Sequence, residues 1–425
     1  MSVDSIFEKA DLSKIAGFEH SKNMPRHRWY YFKEGFSPLL VDNAIKKNKI
    51  KENDLIIDVF SGSGTVPLVS STANIESIGF EVNPFMAFVA ETKLSNIKYS
   101  TFDFCLNTVF KGIKEGEISN LENYSTFSDN GSNEKWLFNT SVLRGFEGGW
   151  NATKKIPYET RKLYRLALVS AIMMNSNAVK DGKCLRYKKN WQELAYSKES
   201  LMDSFKVNCE LISEDLKNTR IPKVATIIKG DVRETFKTTK LKKFKLCVTS
   251  PPYLNSFDYS DIYRPELFLC KYVSNNNNLG KLRLSTLRSH MQINWDLPKK
   301  SKFGGFYQNY FNELLERKEL LWNNKIPIMI QAYFEDIEKL LIELKKKAEK
   351  KAQLWIIVST SAYAGVEIPV DFIIADIGTM NGWDLEGINT IRHMRNSTQN
   401  AQKYLTGIGT KRKLRESLII LENQD

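Results

Sequence analysis

Two β-α units follow one another near the start of the chain, and no other feature restricts its fold as much. Residues 54–59 (DLIIDV) form a short apolar run closed by FSGSGT at 60–65, and a segment containing alanine and valine follows as a helix. Residues 75–82 (IESIGFEV) form a second run that ends on an acid and leads through Asn83-Pro84 into FMAFVAETKL, whose apolar spacing suits a helix. Two such units in succession predict a parallel, doubly wound sheet. Further runs at 224–231, 244–250, 352–359, 386–392 and 416–422 bring the total to about seven strands, most of them separated by helical patterns. The predicted class is α/β.

The gaps between these runs are unequal. Those between the second and third strands and between the fourth and fifth are far longer than a crossover needs, so insertions belong there. The chain therefore divides into a cofactor-binding half at 1–95, a largely helical insertion at 96–223, a catalytic part at 224–270, a second insertion at 271–330 and a closing part at 331–425. The first insertion carries RKLYRLALVSAIMMNSNA, apolar on one helical face, and the basic-aromatic stretch KCLRYKKNW with Arg186 and Lys188. The second carries SNNNNLGKLRLSTLRSHMQINW, an asparagine-rich turn followed by Lys281, Arg283 and Arg288. Arginine and lysine beside aromatic rings suit a surface that tracks phosphates and stacks bases; the plainer reading is a solvated helical lid.

With a formal charge of +13 and a pI near 9.2, the chain favours a polyanionic partner. The five cysteines, Cys105, Cys184, Cys209, Cys247 and Cys270, form no CxxC pair, so neither a zinc ribbon nor a disulfide framework is indicated. The N-terminal MSVDSIFEKADLSK lacks the apolar segment of a signal peptide, and no run of about 18 apolar residues occurs. A soluble protein of a reducing cytoplasm, with no membrane partner, is the expectation.

Several candidate site residues fall at predicted strand ends. Gly62 and Gly64 stand in the turn after the first strand, where glycine permits a tight turn and close approach of a ligand to backbone. No GK[ST] follows, so this is not the phosphate loop of an NTPase. Glu81 ends the second strand 23 residues after Asp58, where an acid can accept hydrogen bonds from both hydroxyls of a ribose, and Asp231 closes the third. Each has a plainer reading, a steric turn for the glycines and a solvated strand end for Glu81. Taken together they describe a crevice for a nucleoside-shaped ligand, a dinucleotide or S-adenosylmethionine. After the fourth strand comes Ser250-Pro251-Pro252-Tyr253, whose prolines fix φ, remove two backbone donors and leave carbonyl oxygens as acceptors.

The order DVFSGSGT, GFEVNP, GD, TSPPY resembles the motif series of S-adenosylmethionine-dependent DNA amino-methyltransferases, which methylate the exocyclic nitrogen of cytosine or adenine. HRWYYFKEGFSPLLV at 27–41 is similar to the cofactor-binding segment that precedes the glycine turn in such enzymes, and IPVDFIIADI with LRESLIILE resembles their closing half. The resemblance implies a Rossmann-like fold, S-adenosyl-L-methionine as cofactor and double-stranded DNA as substrate. It further implies cofactor contacts from Ser37, Pro38, Asp58, Phe60, Gly62, Gly64, Glu81 and Asp231, and catalysis by Ser250, Pro251, Pro252 and Tyr253. Ser250 Oγ and the Pro251 carbonyl would accept hydrogen bonds from the target amino group, and Tyr253 would stack on a base rotated out of the duplex. Arg186, Lys188, Arg283 and Arg288 are the expected DNA contacts. A serine before Pro-Pro-Tyr resembles the cytosine-N4 enzymes more than the adenine-N6 enzymes, and a restriction-modification setting with a separate cognate endonuclease is implied.

Competing chemistries are disfavoured by what surrounds the relevant residue types. Methylation at cytosine C5 uses a cysteine directly after proline, and none of the five cysteines stands there. Zinc-dependent base deamination needs PCxxC and HxE, and neither is present. The four histidines, His20, His27, His290 and His393, form no metal spacing, so no metal is expected. Methylation of structured RNA and a non-catalytic nucleic-acid-binding subunit are the other readings of the same fold.

Overall fold

The computed structural model describes residues 18–129, 134–182, 184–393 and 414–425; the acidic N-terminal stretch lies outside the described residues. All seven strand runs form one sheet: β1 (Leu55–Asp58), β2 (Glu76–Glu81), β3 (Thr226–Lys229), β4 (Phe244–Thr249), β5 (Ala348–Ser359), β6 (Asp384–His393) and β7 (Arg415–Glu422). Their spatial order is β6-β7-β5-β4-β1-β2-β3. Neighbours from β3 through β5 run parallel, whereas β7 runs antiparallel to both β5 and β6. The order reverses at β1 and β4, and in such sheets ligands bind outside the carboxyl ends of the strands at that reversal.

Side-chain alternation explains why the strands read as continuous apolar runs. Leu55, Ile57, Cys247, Leu354, Ile356, Ile419 and Leu421 point to one face, which is covered by helices Ile326–Lys347 and Val370–Met380. Ile56, Leu246, Val248, Trp355, Ile357, Leu418 and Ile420 point to the other, covered by helix Pro38–Lys47. With both faces buried, no polar alternation survives in the sequence. Helix Pro38–Lys47 starts where it does because the Ser37 hydroxyl accepts from the Leu39 N–H and Pro38 supplies the first helical residue.

The segment inserted between β2 and β3 forms a helical layer whose inner face includes Phe102, Phe146, Leu163, Tyr164 and Phe205. That cluster also contains Trp29, Phe85, Phe257 and Phe268, so the layer shares one core with segments flanking the site. Residues 26–29 are wedged into it. Arg26 Nη1 donates to the Lys93 and Ser95 carbonyls at 2.9 and 2.6 Å, and Trp29 Nε1 donates to Asp215 Oδ2 at 2.8 Å. The wedge fixes where residues 32–36 run.

Two local expectations need revision. The asparagine-rich stretch is not a turn: Asn275 caps helix Asn276–Leu284, its side-chain oxygen accepting from the Asn278 N–H at 3.0 Å. The basic-aromatic stretch contributes a strand, Cys184–Tyr187, paired with Ala178–Asp181 in an antiparallel hairpin. Among the described residues no helix is long and apolar enough to cross a membrane.

Candidate active site

A cavity of ≈340 Å³ lies outside the carboxyl ends of β1, β2, β3 and β4. Its floor is the turn after β1. Gly62 adopts φ +50°, and its N–H donates to Glu81 Oε2 at 2.7 Å while Glu81 Oε1 accepts from the Asn83 N–H at 2.7 Å. The acid at the end of β2 is thus aimed by backbone donors on both sides. Burial pushes its carboxyl up to about 7 in spite of these bonds.

Asp58 sits one layer below. It is buried, accepts from Thr249 Oγ1 at 2.8 Å and from the Phe60 N–H at 3.0 Å, and so ties the end of β1 to the end of β4. Burial, with a smaller contribution from Glu81, raises it to about 7. Its side chain does not line the cavity.

Asp231 lines the cavity and caps the helix after β3. Its carboxylate is held by Arg233, with Nε at 3.0 and 3.1 Å and Nη2 at 2.7 Å. Arg233 Nη1 continues to Asp336 Oδ2 at 3.0 Å, and Nη2 reaches the Leu284 carbonyl at 3.2 Å. This chain pins the segment 285–290 over the cavity, where Thr286, Ser289 and His290 contribute to the lining.

The Ser-Pro-Pro-Tyr turn leaves β4 beside the glycine turn. Ser250 Oγ donates its proton to the Ile357 carbonyl at 3.0 Å. A hydroxyl has one proton and two lone pairs, so this bond commits Ser250 to accepting from whatever enters the cavity. Tyr253 turns its hydroxyl to Glu416 Oε1 at 2.6 Å, and Arg392 holds the same carboxylate through Nε at 2.8 Å. Burial raises the Tyr253 phenol well above its ordinary value, with Glu416 adding to the shift, so the ring stays neutral.

The structure brings together Phe60, Gly62, Glu81, Asp231, Ser250, Pro251, Pro252 and Tyr253 around one cavity. Four expected cofactor contacts stand back from it. Ser37 and Pro38, both buried, start helix Pro38–Lys47, Asp58 braces two strands, and Gly64, at φ +83°, packs against helix Pro84–Lys93, where an added Cβ would come within 2.7 Å of Ala90 Cβ. The segment before the glycine turn lines the cavity through Phe32–Phe36 instead. Phe32 is the neighbour of Gly62: a Cβ there would lie 2.9 Å from Phe32 Cε1.

The expected DNA contacts divide more sharply. Arg288 is buried, with Nη2 at 2.6 Å from both Glu335 and Asp336, so it is a core ion pair and not a phosphate contact. Arg283 is mostly covered and donates to Asp258 at 2.6 Å. Helix Ile326–Lys347 supplies the acids that hold Arg288, and nothing in the local sequence of the arginine announces them. Arg186 remains exposed beside Asp181 at 2.5 Å, and Lys188 donates to the Tyr196 hydroxyl at 2.9 Å. Sequence reasoning missed Phe32, Arg392, Glu416 and the segment 285–290; of these Phe32 and Glu416 stand in stretches marked by the resemblance, HRWYYFKEGFSPLLV and LRESLIILE.

No protein-family model matches the chain. It is 27% identical to the Type II methyltransferase M.BsoBI of Geobacillus stearothermophilus over an alignment of 446 residues, spanning 92% of this chain and 85% of the relative. It is 26% identical to the Type II methyltransferase M.AvaI of a Nostoc species over 417 residues, 88% of this chain and 82% of that one. The solved rRNA methyltransferase AviRa of Streptomyces viridochromogenes aligns at 10% identity over 100% of this chain and 97% of its own with a TM-score of 0.31, too low to carry an argument. With its glycine turn, strand-end acids and Ser-Pro-Pro-Tyr turn gathered on one sheet edge of a Rossmann-like fold, the chain is a homologue of these Type II methyltransferases, and methyltransferases of this kind use S-adenosylmethionine as the methyl donor.

Proposed function

We propose that the protein methylates the exocyclic amino group of a base rotated out of double-stranded DNA, cytosine N4 in preference to adenine N6, as the modifying partner of a separate cognate endonuclease. The observation that carries this reading is the committed Ser250 hydroxyl in a cavity that also holds Tyr253. An exocyclic amino nitrogen is a poor nucleophile because its lone pair is delocalised into the ring. Ser250 Oγ and the Pro251 carbonyl are two acceptors that draw on its two protons and hold the nitrogen nearer sp3 geometry, which frees the lone pair. The prolines keep both acceptors in place, so little reorganisation is needed. Tyr253 offers its ring to the flipped base, and a base-aromatic stack returns about 1–3 kcal/mol toward a flipping cost of a few.

The site fits the donor. Glu81, aimed by the Gly62 and Asn83 N–H groups, keeps acceptor capacity for paired hydroxyls, and the positive φ of Gly62 exposes backbone at the cavity floor. When bound, S-adenosylmethionine supplies an electrophilic methyl group on a sulfonium. The preference for cytosine rests on the resemblance of Ser-Pro-Pro-Tyr to the cytosine enzymes, and the DNA substrate and restriction setting on the Type II relatives.

Mass spectrometry of nucleosides from DNA incubated with the protein and cofactor tests the proposal. N4-methylcytosine is the expected product. A product consisting only of N6-methyladenine overturns the base assignment, and no methylated base overturns the reading. Tyr253→Ala should lose most of the activity and keep cofactor binding, and Ser250→Ala should lose activity through the missing acceptor.

A further inference from the structure

Glu416 opens the buried stretch of β7 and stands directly across from Arg392 of β6 in the ladder. It is 5% exposed, and both of its oxygens are engaged. Oε1 accepts from the Tyr253 hydroxyl at 2.6 Å and from Arg392 Nη2 at 3.3 Å, and Oε2 from Arg392 Nε at 2.8 Å. Tyr253, Glu416 and Arg392 line the same cavity as Ser250.

We infer that Glu416 is a positioning residue for methyl transfer, a carboxylate that Arg392 aims and that fixes the position and axis of the Tyr253 ring by holding its hydroxyl. The inference rests on the proposed transfer to a stacked base.

The physical argument starts from the ring. A tyrosine in a turn retains two soft torsions, and a platform that tilts stacks poorly and misplaces the base relative to the Ser250 and Pro251 acceptors. Anchoring the para oxygen, at the far end of the lever, fixes χ1 and with it the line of the ring axis. The oxygen lies on the χ2 axis, so the plane is steered only through the phenolic O–H, which prefers to lie in the ring plane. A hydroxyl donating to a carboxylate makes a charge-assisted bond, roughly twice as strong as a neutral one. A carboxylate so enclosed needs a counter-charge, and Arg392 provides it across the strand pair. The two strands are already joined along their ladder from Asp384 to His393, so the tyrosine contact adds nothing the sheet requires. Its target is a residue 163 positions earlier in the sequence, in the catalytic turn.

A double-mutant cycle in the full chain tests this. Glu416→Ala and Tyr253→Phe should each lower kcat on genomic DNA by about tenfold or more, since displacements near 1 Å cost up to about a hundredfold. Cofactor affinity by calorimetry should stay within about twofold, because neither change touches the glycine turn or Glu81. The combined variant should be no slower than the slower single one, because both substitutions remove the same bond. Glu416→Gln, which keeps an acceptor for the hydroxyl, should recover most of the lost kcat. Multiplicative losses in the combined variant overturn the inference, as does a Glu416→Ala defect confined to KM or to cofactor affinity. If Glu416→Ala does not fold, Tyr253→Phe decides, because it leaves the Glu416–Arg392 pair intact: unchanged kcat there overturns the inference. Additive losses in an active protein refute the positioning role alone, whereas an unaltered chain that transfers no methyl group to DNA refutes the functional reading and this role with it.

Discussion

The backbone N–H of Gly62 and the carboxylate of Glu81 meet at 2.7 Å, which makes the turn after β1 and the acid after β2 a single mechanical unit. Neither can move without displacing the other, and the Asn83 N–H holds the second oxygen of the same carboxylate.

Gly62→Val and Glu81→Ala should therefore both weaken S-adenosylmethionine binding. Valine at φ +50° is strained, and its Cβ would lie 2.9 Å from Phe32 Cε1, displacing a ring that lines the cavity. Alanine at position 81 removes charged hydrogen bonds worth about 1.5–3 kcal/mol each, tenfold or more in affinity. Calorimetric titration reads the effect, and unchanged affinity in both variants would rule out this placement of the cofactor.

Cofactor binding should also depend on pH through Glu81. Its carboxyl is raised to about 7 in the folded chain, and only the ionised form accepts from two hydroxyls at once. Affinity should climb as pH rises through about 7 and level off above it. In the free protein the sign is opposite. An acid with a raised folded pKa holds its proton in the native state after the unfolded chain has lost it, so its contribution to stability falls between about pH 4 and 7. Asp58, also raised to about 7, titrates in the same window. Glu81→Gln separates the two: it should flatten the affinity profile, and a profile that stays steep would assign the titration elsewhere.

Arg288→Gln should destabilise the fold and leave the salt dependence of DNA binding unchanged. The substitution removes the cation shared by Glu335 and Asp336, both buried, and leaves them Lys339 and Arg233, each at 3.0 Å. Breaking an isolated buried pair from one side costs about 3–5 kcal/mol, and the two remaining partners keep the loss below that. Thermal or urea denaturation measures the loss. A variant of native stability with weakened DNA binding would return Arg288 to the DNA surface.

Arg186 is the contrasting case. It is 60% exposed, its pairing with Asp181 is a surface one, and it is available to a phosphate. If it meets DNA, Arg186→Gln should reduce the slope of log affinity against log salt by about 0.9. Titrations at several salt concentrations decide, and an unchanged slope removes Arg186 from the interface.

The middle of the sheet was legible because β1, β4, β5 and β7 are buried on both faces, which leaves an uninterrupted apolar run such as DLIIDV or ESLIILE, whereas the edge strands β3 and β6 carry exposed residues. Glu81, Asp231 and the Ser-Pro-Pro-Tyr turn were legible because they follow such runs directly. What could not be read was which of several close neighbours faces the cavity. Ser37 and Phe32 stand five residues apart in one segment, and only helix capping by the first and ring contact by the second tell their roles apart. Arg288 looks like any basic residue until helix Ile326–Lys347 brings Glu335 and Asp336 against it, 47 and 48 positions later. Glu416 was hidden for a topological reason. Site residues are sought after parallel strands, whereas β7 runs the other way and delivers its beginning to the active edge.

That reversed strand also dictates how the molecule assembles. β7 lies between β5 and β6, both of which precede it in the chain. Until β7 arrives, β5 has an open edge of unpaired amides flanked by Leu354, Trp355, Ile356 and Ile357, all buried in the finished protein. An apolar strand edge waiting for a partner invites pairing with another molecule. Recombinant yield should accordingly be limited by aggregation of the half-built sheet, and slower synthesis at low temperature, which lengthens the interval between encounters of nascent chains, is the condition that favours soluble product.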